Sequence, residues 1–350
     1  MTGMLAAVYH GPEDLRVEEK MKPQPGPGEL LIKVDSASLC ATDLRILRGG
    51  HHKYHTGTIR VPGHEVVGTV AVLGAGVEAY RLAQRVFVAP NIGCGRCKQC
   101  LRGRNNLCAN YDAFGITIDG AFAEYMLVPA RAVEQRNVIP IREDADPAAV
   151  ALAEPLACVW HGQEAVNVGE GDVVVIQGAG PIGLMHCLLA RRHGARKIIV
   201  SDKSQERLLK AEELGADVTV NFAKRSLDAT VATETKNQGA DVVIVAVASH
   251  EAQQQALNVA AIGGRINLFA GLPKQEPTVE LDSNLIHYRE LIVTGTTACS
   301  TADCRAAVQL IASGEIDLAP LVSRRFPLRE ANAAFSAAAE VDLFKVVLQP

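Results

Sequence analysis

The sequence predicts an α/β protein that combines a mostly β part with a doubly wound domain built on a parallel sheet. Two patterns lead to this prediction. Before about residue 150, short strand-like runs are broken by glycine and proline, and from Asp172 onward apolar runs of strand length alternate with helix-length segments. Such alternation is typical of βαβ units, whose parallel strands are buried on both faces.

The first part carries apolar runs such as GELLIKVDSASLC, GHEVVGTVAVLGAG and RVFVAP, with turn segments such as PQPGPGE between them. Glycine and proline at these spacings favour turns between short strands. We predict a β-rich domain over residues 1–155. The C-terminal segment 295–350, with a helix near 302–313 and a final FKVVLQ run, is expected to pack back on it.

The second part begins with VVVIQ, the glycine-rich GAGPIG and a helix to about residue 193. It continues with KIIVSD, a helical SQERLLKAEELG, ADVTV, a helix near 226–236, ADVVIVAV, a helix from about His250, and GGRINLFAG. We predict the doubly wound domain over residues 156–294.

Composition excludes several classes of protein. Of 350 residues, 48% are hydrophobic and 21% charged, which is enough apolar material for a large core, and the net charge is −4. The charges form no long run of one sign, so nothing favours nucleic acid or an anionic membrane as a partner. The N-terminus turns polar too early for a signal peptide, and the apolar runs are of strand length, so we expect a cytoplasmic protein.

The segment VVVIQGAGPIG places a G-x-G-x-x-G motif at Gly178, Gly180 and Gly183, between a strand and a helix. The glycines permit a tight turn, close approach of a pyrophosphate, and close packing of the helix on the strand. Asp202 ends the next strand, where a carboxylate accepts from the ribose hydroxyls and repels a 2′-phosphate. This favours NAD over NADP, although Lys203 and Arg207 follow closely and are placed to flank the adenosine.

Four cysteines, Cys94, Cys97, Cys100 and Cys108, follow the spacing C-x2-C-x2-C-x7-C. In a cytosolic chain such a cluster favours a metal over disulfides, and zinc over an iron–sulfur cluster. Four thiolates complete a tetrahedral zinc shell and leave no position for a substrate. We therefore predict a structural site and expect the chemistry elsewhere. Cys40 and the Gly-His-Glu run that contains His64 are candidates, but their spacing alone does not link them.

Several motifs together resemble the zinc-dependent medium-chain dehydrogenase/reductase family, in its polyol (sorbitol) and threonine dehydrogenase branch. They are LCATDL, VPGHEVVGTV, GCGRCKQCLRGRNNLC, GAFAEYMLVP, AEPLACVWHG, GAGPIG with Asp202, and GGRINLFAGLP. The resemblance covers nearly the whole chain. It implies a GroES-like β domain plus a Rossmann domain, with the active site in the cleft between them, and a homo-dimer or homo-tetramer.

The resemblance also implies site residues. Cys40, His64 and Glu154 match the catalytic zinc shell, and Glu65 either ligates the zinc directly or exchanges with water or Glu154. The four clustered cysteines match the structural zinc, and Thr42 matches the first group of the proton relay. The positions that match the NAD site are Gly178, Gly180, Pro181, Ile182, Gly183, Asp202 and Arg207, with Phe269, Ala270 and Thr296 at the nicotinamide pocket.

These matches imply a zinc- and NAD-dependent oxidoreductase. Zinc acts as a Lewis acid on the substrate alcohol, and NAD accepts the hydride. The expected substrate is a secondary alcohol of a polyol, sugar alcohol or cyclitol, and no nucleic acid or membrane partner is expected. The alternative is an L-threonine 3-dehydrogenase. A hypothesis from a different class of protein is an inactive NAD-binding scaffold.

The chain departs from the family pattern at two positions. Arg45 stands where the branch often has a relay histidine, so we consider the histidines of GGHHKYH, His51, His52 and His55, as relay candidates beside the alternative of a solvated turn. Ala298 stands where the sorbitol branch tends to place an arginine. Arg45, Lys53 and the loop histidines also favour a substrate with a carboxylate or phosphate.

Overall fold

The computed structural model describes residues 3–350, which form two compact units. Unit 1 runs to Ala157 and also includes Cys299–Pro350, and unit 2 is Cys158–Ala298. The predicted boundaries, after residues 155 and 294, lie two and four residues before the observed ones. Within residues 3–350, no helix is long and apolar enough to cross a membrane.

The N-terminal part of unit 1 consists of strands joined by turns and short helices. The strands are β1 (Gly3–Gly11), β2 (Asp14–Met21), β3 (Leu30–Ser38), β4 (Glu65–Leu73), β5 (Arg85–Val88), β6 (Asn91–Ile92), β7 (Asp112–Ala113), β8 (Tyr125–Val128) and β9 (Val138–Pro140). The helices are α1 (Ala41–Leu47), α2 (Lys98–Leu101), α3 (Ala130–Glu134), α4 (Pro147–Ala151) and α5 (Ala153–Ala165), and α5 continues into unit 2.

Unit 2 alternates strand and helix, and the chain then returns to unit 1. The strands of unit 2 are β10 (Val173–Gln177), β11 (Lys197–Asp202), β12 (Val218–Asn221), β13 (Ala240–Val245), β14 (Ala260–Leu268) and β15 (Ile292–Gly295). Its other helices are α6 (Pro181–Arg192), α7 (Gln205–Glu213), α8 (Leu227–Glu234), α9 (His250–Val259) and α10 (Ser283–Tyr288). The C-terminal elements of unit 1 are α11 (Thr301–Ala312), β16 (Val322–Pro327), α12 (Ala331–Ala338) and β17 (Lys345–Gln349).

The main sheet of unit 1 has the strand order β16-β17-β3-β4-β5-β9, and β8 also pairs with β3. The C-terminal strand β17 is antiparallel to β3, with Val347 opposite Ser38, and Ser38 is also opposite Glu65 of β4. The end of β3 is thus flanked by the starts of β4 and β17. This arrangement brings residues from three distant parts of the sequence to one end of the sheet.

The sheet of unit 2 is parallel throughout, with the order β12-β11-β10-β13-β14-β15. Every residue of β10 is buried, as expected for a strand covered on both faces by helices. The third strand of unit 2, β12, and the fourth, β13, lie on opposite sides of β10, so the winding direction reverses there. The glycine-rich turn after β10 is at this switch point, where sheets of this kind bind ligands.

The predicted strands and helices of unit 2 are observed with small shifts at their ends. Helix α10 and strand β15 lie in the segment 272–295, to which the sequence patterns assigned no element. Strand β15 is short and half-exposed at the edge of the sheet, so its four residues carry little of the apolar signal of a buried strand.

Candidate metal centres and coenzyme site

Three candidate ligands converge where β3 ends and β4 begins. Cys40 follows β3 and is the N-cap residue of α1, while His64 directly precedes β4 and Glu65 is the first residue of β4. Because β3 and β4 are antiparallel, these two strand ends are neighbours in the sheet. One ligand atom from each of the three residues lies within 4.8 Å of the others, with His64 and Glu65 buried. The structure thus brings together three of the four predicted ligands of the catalytic zinc.

The carboxylate of Asp43 faces the imidazole of His64. It is fully buried on α1, its Oδ2 accepts from the backbone N–H of Cys40 at 2.9 Å, and its Oδ1 lies 3.6 Å from Nδ1 of His64. With Nδ1 facing the carboxylate, Nε2 is left for a metal. Burial lowers the pKa of His64, but Asp43 and Cys40 outweigh it and the net shift is upward. Sequence reasoning missed Asp43, although an acidic residue three positions after an N-cap is a capping signal.

Glu65 is paired with a lysine from the C-terminal strand. Nζ of Lys345 lies 2.8 Å from Oε1 and 2.6 Å from Oε2 of Glu65, and it donates to the carbonyl oxygen of Leu39 at 2.8 Å. Burial opposes the charged lysine, but Glu65, Cys40 and Glu154 outweigh it and raise the pKa of Lys345. The ammonium group therefore stays charged and neutralises Glu65. No local signal marks this pair, because the two residues are 280 positions apart.

Glu154, the fourth predicted ligand, lies outside the group formed by Cys40, His64 and Glu65. It is in the first turn of α5 and is 7% exposed. The thiol of Cys299 donates to its Oε1 at 3.7 Å. Cys299 was not singled out from the sequence as a site residue, and it precedes α11, far from α5 along the chain.

The four clustered cysteines converge on a second centre in unit 1. Their sulfur atoms all lie within 4.8 Å of one another, with Cys94 and Cys100 at 4.0 Å and Cys97 and Cys108 at 3.8 Å. All nine cysteines of the chain are reduced. A Cβ on Gly93 would lie 2.6 Å from Sγ of Cys100, so the backbone closes tightly around the sulfurs.

The protonation behaviour of these thiols fits a cation among them. Backbone N–H groups of Arg96 and Cys97 lower the pKa of Cys94 to about 6, and the N–H of Cys100 lowers that of Cys97. Burial raises the pKa of Cys100 to about 12, so its thiolate needs a neighbouring positive charge. Four sulfur donors in this arrangement suit tetrahedral zinc and leave no open position.

The glycine-rich turn of unit 2 has the geometry that a pyrophosphate requires. Gly178 has φ +104°, which favours glycine, and a Cβ on Gly183 would lie 1.8 Å from the carbonyl oxygen of Gly178. Helix α6 begins at Pro181 with Gly180 as its N-cap, and Ile182 follows in the first turn. The open N-terminus of a twelve-residue helix attracts phosphate.

Asp202 connects the end of β11 with the glycine-rich turn. Its Oδ2 accepts from the N–H of Ala179 at 2.8 Å, and its Oδ1 accepts from the N–H of Ser204 at 2.9 Å. It lines a cavity of about 460 Å³ together with Gly178, Lys203, Arg207, Phe222 and other residues of these loops. The sequence predicted the ribose contact of Asp202 but not this bracing role.

The three residues matched to the nicotinamide pocket follow strand ends of unit 2. Phe269 and Ala270 come directly after β14, and Thr296 comes directly after β15. The ring of Phe269 packs edge-on against the buried His186 with centroids 4.7 Å apart. Thr296 Oγ1 lies 3.3 Å from Nδ2 of Asn267. The structure thus places all three at the carboxyl end of the sheet, on the same side as the glycine-rich turn.

Two family models match the chain. The model described as the alcohol dehydrogenase GroES-like domain matches residues 26–141, and the model described as zinc-binding dehydrogenase matches residues 181–313.

Known proteins are similar over almost the full length. The chain is 35% identical to L-threonine 3-dehydrogenase of Bacillus subtilis, over 92% of this chain and 91% of that one. It is 29% identical to sorbitol dehydrogenase of Halalkalibacterium halodurans, over 99% and 98% of the two chains. The crystal structure of a Sinorhizobium meliloti chain assigned to the zinc-binding dehydrogenases and bound to NADP superposes with a TM-score of 0.93, at 35% identity and full coverage of both chains.

Proposed function

The chain belongs to the zinc-dependent medium-chain dehydrogenase family, and on this premise we propose that it oxidises a secondary alcohol of a polyol, sugar alcohol or cyclitol to the ketone. Membership confirms the predicted fold class, with its GroES-like and Rossmann parts. It also confirms the predicted class of enzyme, an oxidoreductase that uses zinc and NAD.

The observation that carries the proposal is the convergence of Cys40 and His64, with Glu65 beside them, at one end of the main sheet, separate from the four-cysteine centre. One thiolate, one imidazole and one carboxylate leave an open zinc position, whereas four thiolates do not. We propose that Glu154 supplies the carboxylate ligand, because both oxygens of Glu65 are already engaged by Lys345.

The protein's own residues hold and orient the reactants. When bound, zinc supplies Lewis acidity toward an alcohol oxygen, and NAD supplies the hydride acceptor. Thr42 is half-buried in the first turn of α1, two residues after Cys40, where its hydroxyl takes up the alcohol proton. The buried Asp43 keeps His64 in the tautomer that offers Nε2.

For the next step of the proton path we propose His51. It is 7% exposed, stacked on His52 at 4.9 Å and edge-on to Tyr54 at 6.0 Å, whereas His52 and His55 are exposed. If His51 relays protons, His51→Ala lowers turnover most at low pH. Unchanged pH profiles for single alanine variants of all three histidines would exclude the loop from the relay.

For the coenzyme we propose a preference for NAD over NADP. The carboxylate of Asp202 faces the cavity where the ribose of the adenosine belongs, and a 2′-phosphate would be repelled there. Lys203 and Arg207 line the same cavity and flank the adenosine. The Sinorhizobium meliloti relative has NADP bound in its crystal structure. The test of the proposed preference is therefore kcat/KM measured with both NAD and NADP.

For the substrate we propose that a carboxylate or phosphate accompanies the hydroxyl groups. Arg45 is exposed on the last turn of α1, and Lys53 lies in the histidine-rich loop over the ring of Tyr111 at 5.7 Å. Both cations belong to the segment that directly follows Cys40. A second candidate, L-threonine, is favoured by the 35% identity with the Bacillus subtilis threonine enzyme. Arg45 in place of a relay histidine counts against it.

The predicted homo-dimer or homo-tetramer is also a proposal. It is supported by exposed apolar residues beside the free edge of the parallel sheet: Ile262 is 82%, Tyr288 77% and Ile292 56% exposed. The backbone N–H of Gly263 donates to the carbonyl oxygen of Arg289. This hydrogen bond holds the neighbouring residues Ile262 and Tyr288 close together. Light scattering of the native chain and of Ile292→Lys, which should dissociate, tests it.

The experiment that tests the function measures NADH formation by the zinc-replete enzyme. The panel contains sorbitol, xylitol, arabinitol, inositols, their phosphates and acid analogues, and L-threonine. Turnover of polyols or cyclitols supports the proposal, and faster turnover of the acidic analogues supports the anionic group. Turnover of threonine alone would favour the second candidate, and silence with zinc and NAD both bound would favour an inactive scaffold.

A further inference from the structure

The segment 94–108, which contains the four clustered cysteines and is called the cysteine lobe below, is connected by hydrogen bonds to the segment that contacts Glu154. Asn105, between Cys100 and Cys108, is 8% exposed and uses its whole amide group in these bonds. Its Oδ1 accepts from the N–H of Thr301 at 3.0 Å, and its Nδ2 donates to Thr301 Oγ1 at 3.2 Å. The lobe thus holds the first residue of α11.

The same Nδ2 group of Asn105 also donates to the carbonyl oxygen of Asn91 at 2.7 Å. Asn91 is 8% exposed, and its side-chain Nδ2 donates to the carbonyl oxygen of Cys299 at 2.9 Å. Asn137 holds the Asn91 carbonyl oxygen from another side at 2.8 Å. The backbone of Cys299 is therefore fixed by a buried amide network that begins in the cysteine lobe.

Cys299 is the end of this network and one contact of Glu154. Its thiol donates to Oε1 of Glu154 at 3.7 Å and lies 3.5 Å from Sγ of Cys304, and its side chain is buried. Ser300 caps α11 in a capping box with Asp303, which fixes the next residue as well. A shift of the Cys299 backbone would therefore be passed to the Glu154 carboxylate.

We propose that Asn91 is a positioning residue that acts through Cys299 on Glu154 and thereby on the retention of the catalytic zinc. The inference rests on the proposed function, because it takes Glu154 as a ligand of that zinc. Groups that orient metal ligands from outside the coordination shell change metal affinity by about 10- to 100-fold when removed. The cysteine lobe, through Asn105 and Asn91, then contributes to catalysis without contacting substrate.

Asn91→Ala is a clean test, because it removes only the side-chain bond to the Cys299 carbonyl oxygen. The bonds that Asn105 and Asn137 make to residue 91 use its backbone oxygen and remain. Gln135→Ala is the matched control: it also removes one amide bond to a carbonyl oxygen, that of Gly93 at 2.8 Å, but this bond does not involve Cys299.

The measurement is the rate at which a chromogenic chelator removes zinc from the intact chain. The phase that is missing in Cys40→Ala belongs to the catalytic zinc. We expect Asn91→Ala to speed this phase about tenfold and to leave the other phase unchanged. Gln135→Ala should leave the Cys40-dependent phase as it is. In a Glu154→Gln background, Asn91→Ala should have no further effect on that phase, since the two residues act in series.

Four results would overturn the inference. The inference would be overturned, with the proposed zinc site left standing, if Asn91→Ala left the Cys40-dependent phase unchanged. The same holds if Gln135→Ala changed that phase as much as Asn91→Ala does. It also holds if Asn91→Ala had an undiminished effect in the Glu154→Gln background. Absence of any Cys40-dependent phase in the unmodified chain would overturn the proposed zinc site together with it. Should Asn91→Ala fold poorly, Thr301→Ala, which removes one acceptor of Asn105, gives a milder test with the same expected direction.

Discussion

The ammonium group of Lys345, in the last strand, lies 2.6 Å from one carboxylate oxygen of Glu65 and 2.8 Å from the other, and both side chains are almost fully buried. The pair joins the C-terminal strand to the candidate metal site that contains Cys40 and His64. A buried ion pair adds little stability over a well-packed apolar pair, but breaking it leaves an uncompensated charge. Removal of one partner should therefore destabilise the folded state more than loss of an exposed ion pair would.

Replacing Lys345 by methionine should lower the free energy of unfolding by about 3–5 kcal/mol, because Glu65 loses its counter-ion in a buried setting. Urea denaturation measures this change. Arg324→Met is the control, since its ion pair with Glu340 is about half exposed and should contribute under about 1 kcal/mol. Equal effects of the two substitutions would show that Glu65 is neutral or compensated by another group.

Removing one thiol of the four-cysteine centre should open the lobe. Cys97→Ala should bind one zinc fewer per chain and expose the lobe to trypsin at Arg102 and Arg104, because structural zinc contributes directly to folding. The rate of cleavage at these two sites is the measurement. Cys187→Ala, which removes a buried thiol outside the cluster, should leave that rate unchanged. A stable Cys97→Ala lobe that has also lost activity would reverse the roles of the two metal sites.

Asp202 should determine both coenzyme choice and stability. Asp202→Asn should lower kcat/KM for NAD and raise it for NADP, since the charge that repels a 2′-phosphate is gone. It should also cost about 1–3 kcal/mol, because an amide cannot accept from both backbone N–H groups that the carboxylate serves. Kinetics with both coenzymes and urea denaturation measure the two effects.

Asp217→Asn separates the two effects of Asp202. Its Oδ2 accepts from the N–H of Ile198 at 2.7 Å, but it does not line the coenzyme cavity. This variant should lose stability and keep the parent ratio of NAD to NADP efficiency. If Asp202→Asn leaves the ratio of NAD to NADP efficiency unchanged, Asp202 does not determine the choice of coenzyme.

His186 should make unit 2 sensitive to acid. Burial lowers its pKa to about 3, whereas an unfolded chain takes up this proton near pH 6.5. The unfolded state therefore binds more protons between these values, and stability falls by about 1.4 kcal/mol for each pH unit as the pH drops through this window.

His186→Asn should flatten this dependence, because asparagine does not titrate and keeps an acceptor for Nε2 of Gln163, which lies 3.3 Å from Nδ1 of His186. The measurement is the free energy of unfolding as a function of pH. His287→Asn, at an exposed position of α10, should leave the slope of the parent chain. Identical slopes for His186→Asn and the parent would mean that His186 is accessible to protons in the folded state.

Local patterns predicted the parts of the molecule that depend on local chemistry. The continuous Val and Ile runs of β10 and β13 indicate buried strands, and the glycines after β10 indicate a tight turn. The spacing of the four cysteines indicates a metal site. Strand β15 was missed because an edge strand of four half-exposed residues has no such signal. Helix α10 has only six residues, none of them buried, and therefore carries no clear apolar pattern either.

The contacts that complete the candidate site are long-range and leave no pattern in the sequence. Lys345 pairs with Glu65 across 280 positions, Asn105 bonds Thr301 across 196, and Cys299 reaches Glu154 across 145. The sheet order, with β17 and β4 on either side of β3, brings Lys345 to Glu65, whereas the other two contacts are made by residues of loops and helices. The family resemblance supplied the candidate metal ligands but not the residues that contact them.

The proposed catalytic zinc site is tested most directly by the zinc content of Cys40→Ala together with its NADH formation. We expect a folded protein with one zinc per chain in place of two, intact binding of NADH, and no oxidation of the alcohol that the parent chain turns over. Two zinc ions per chain with retained activity would contradict it, since Cys40 would then be neither a zinc ligand nor part of the catalytic centre.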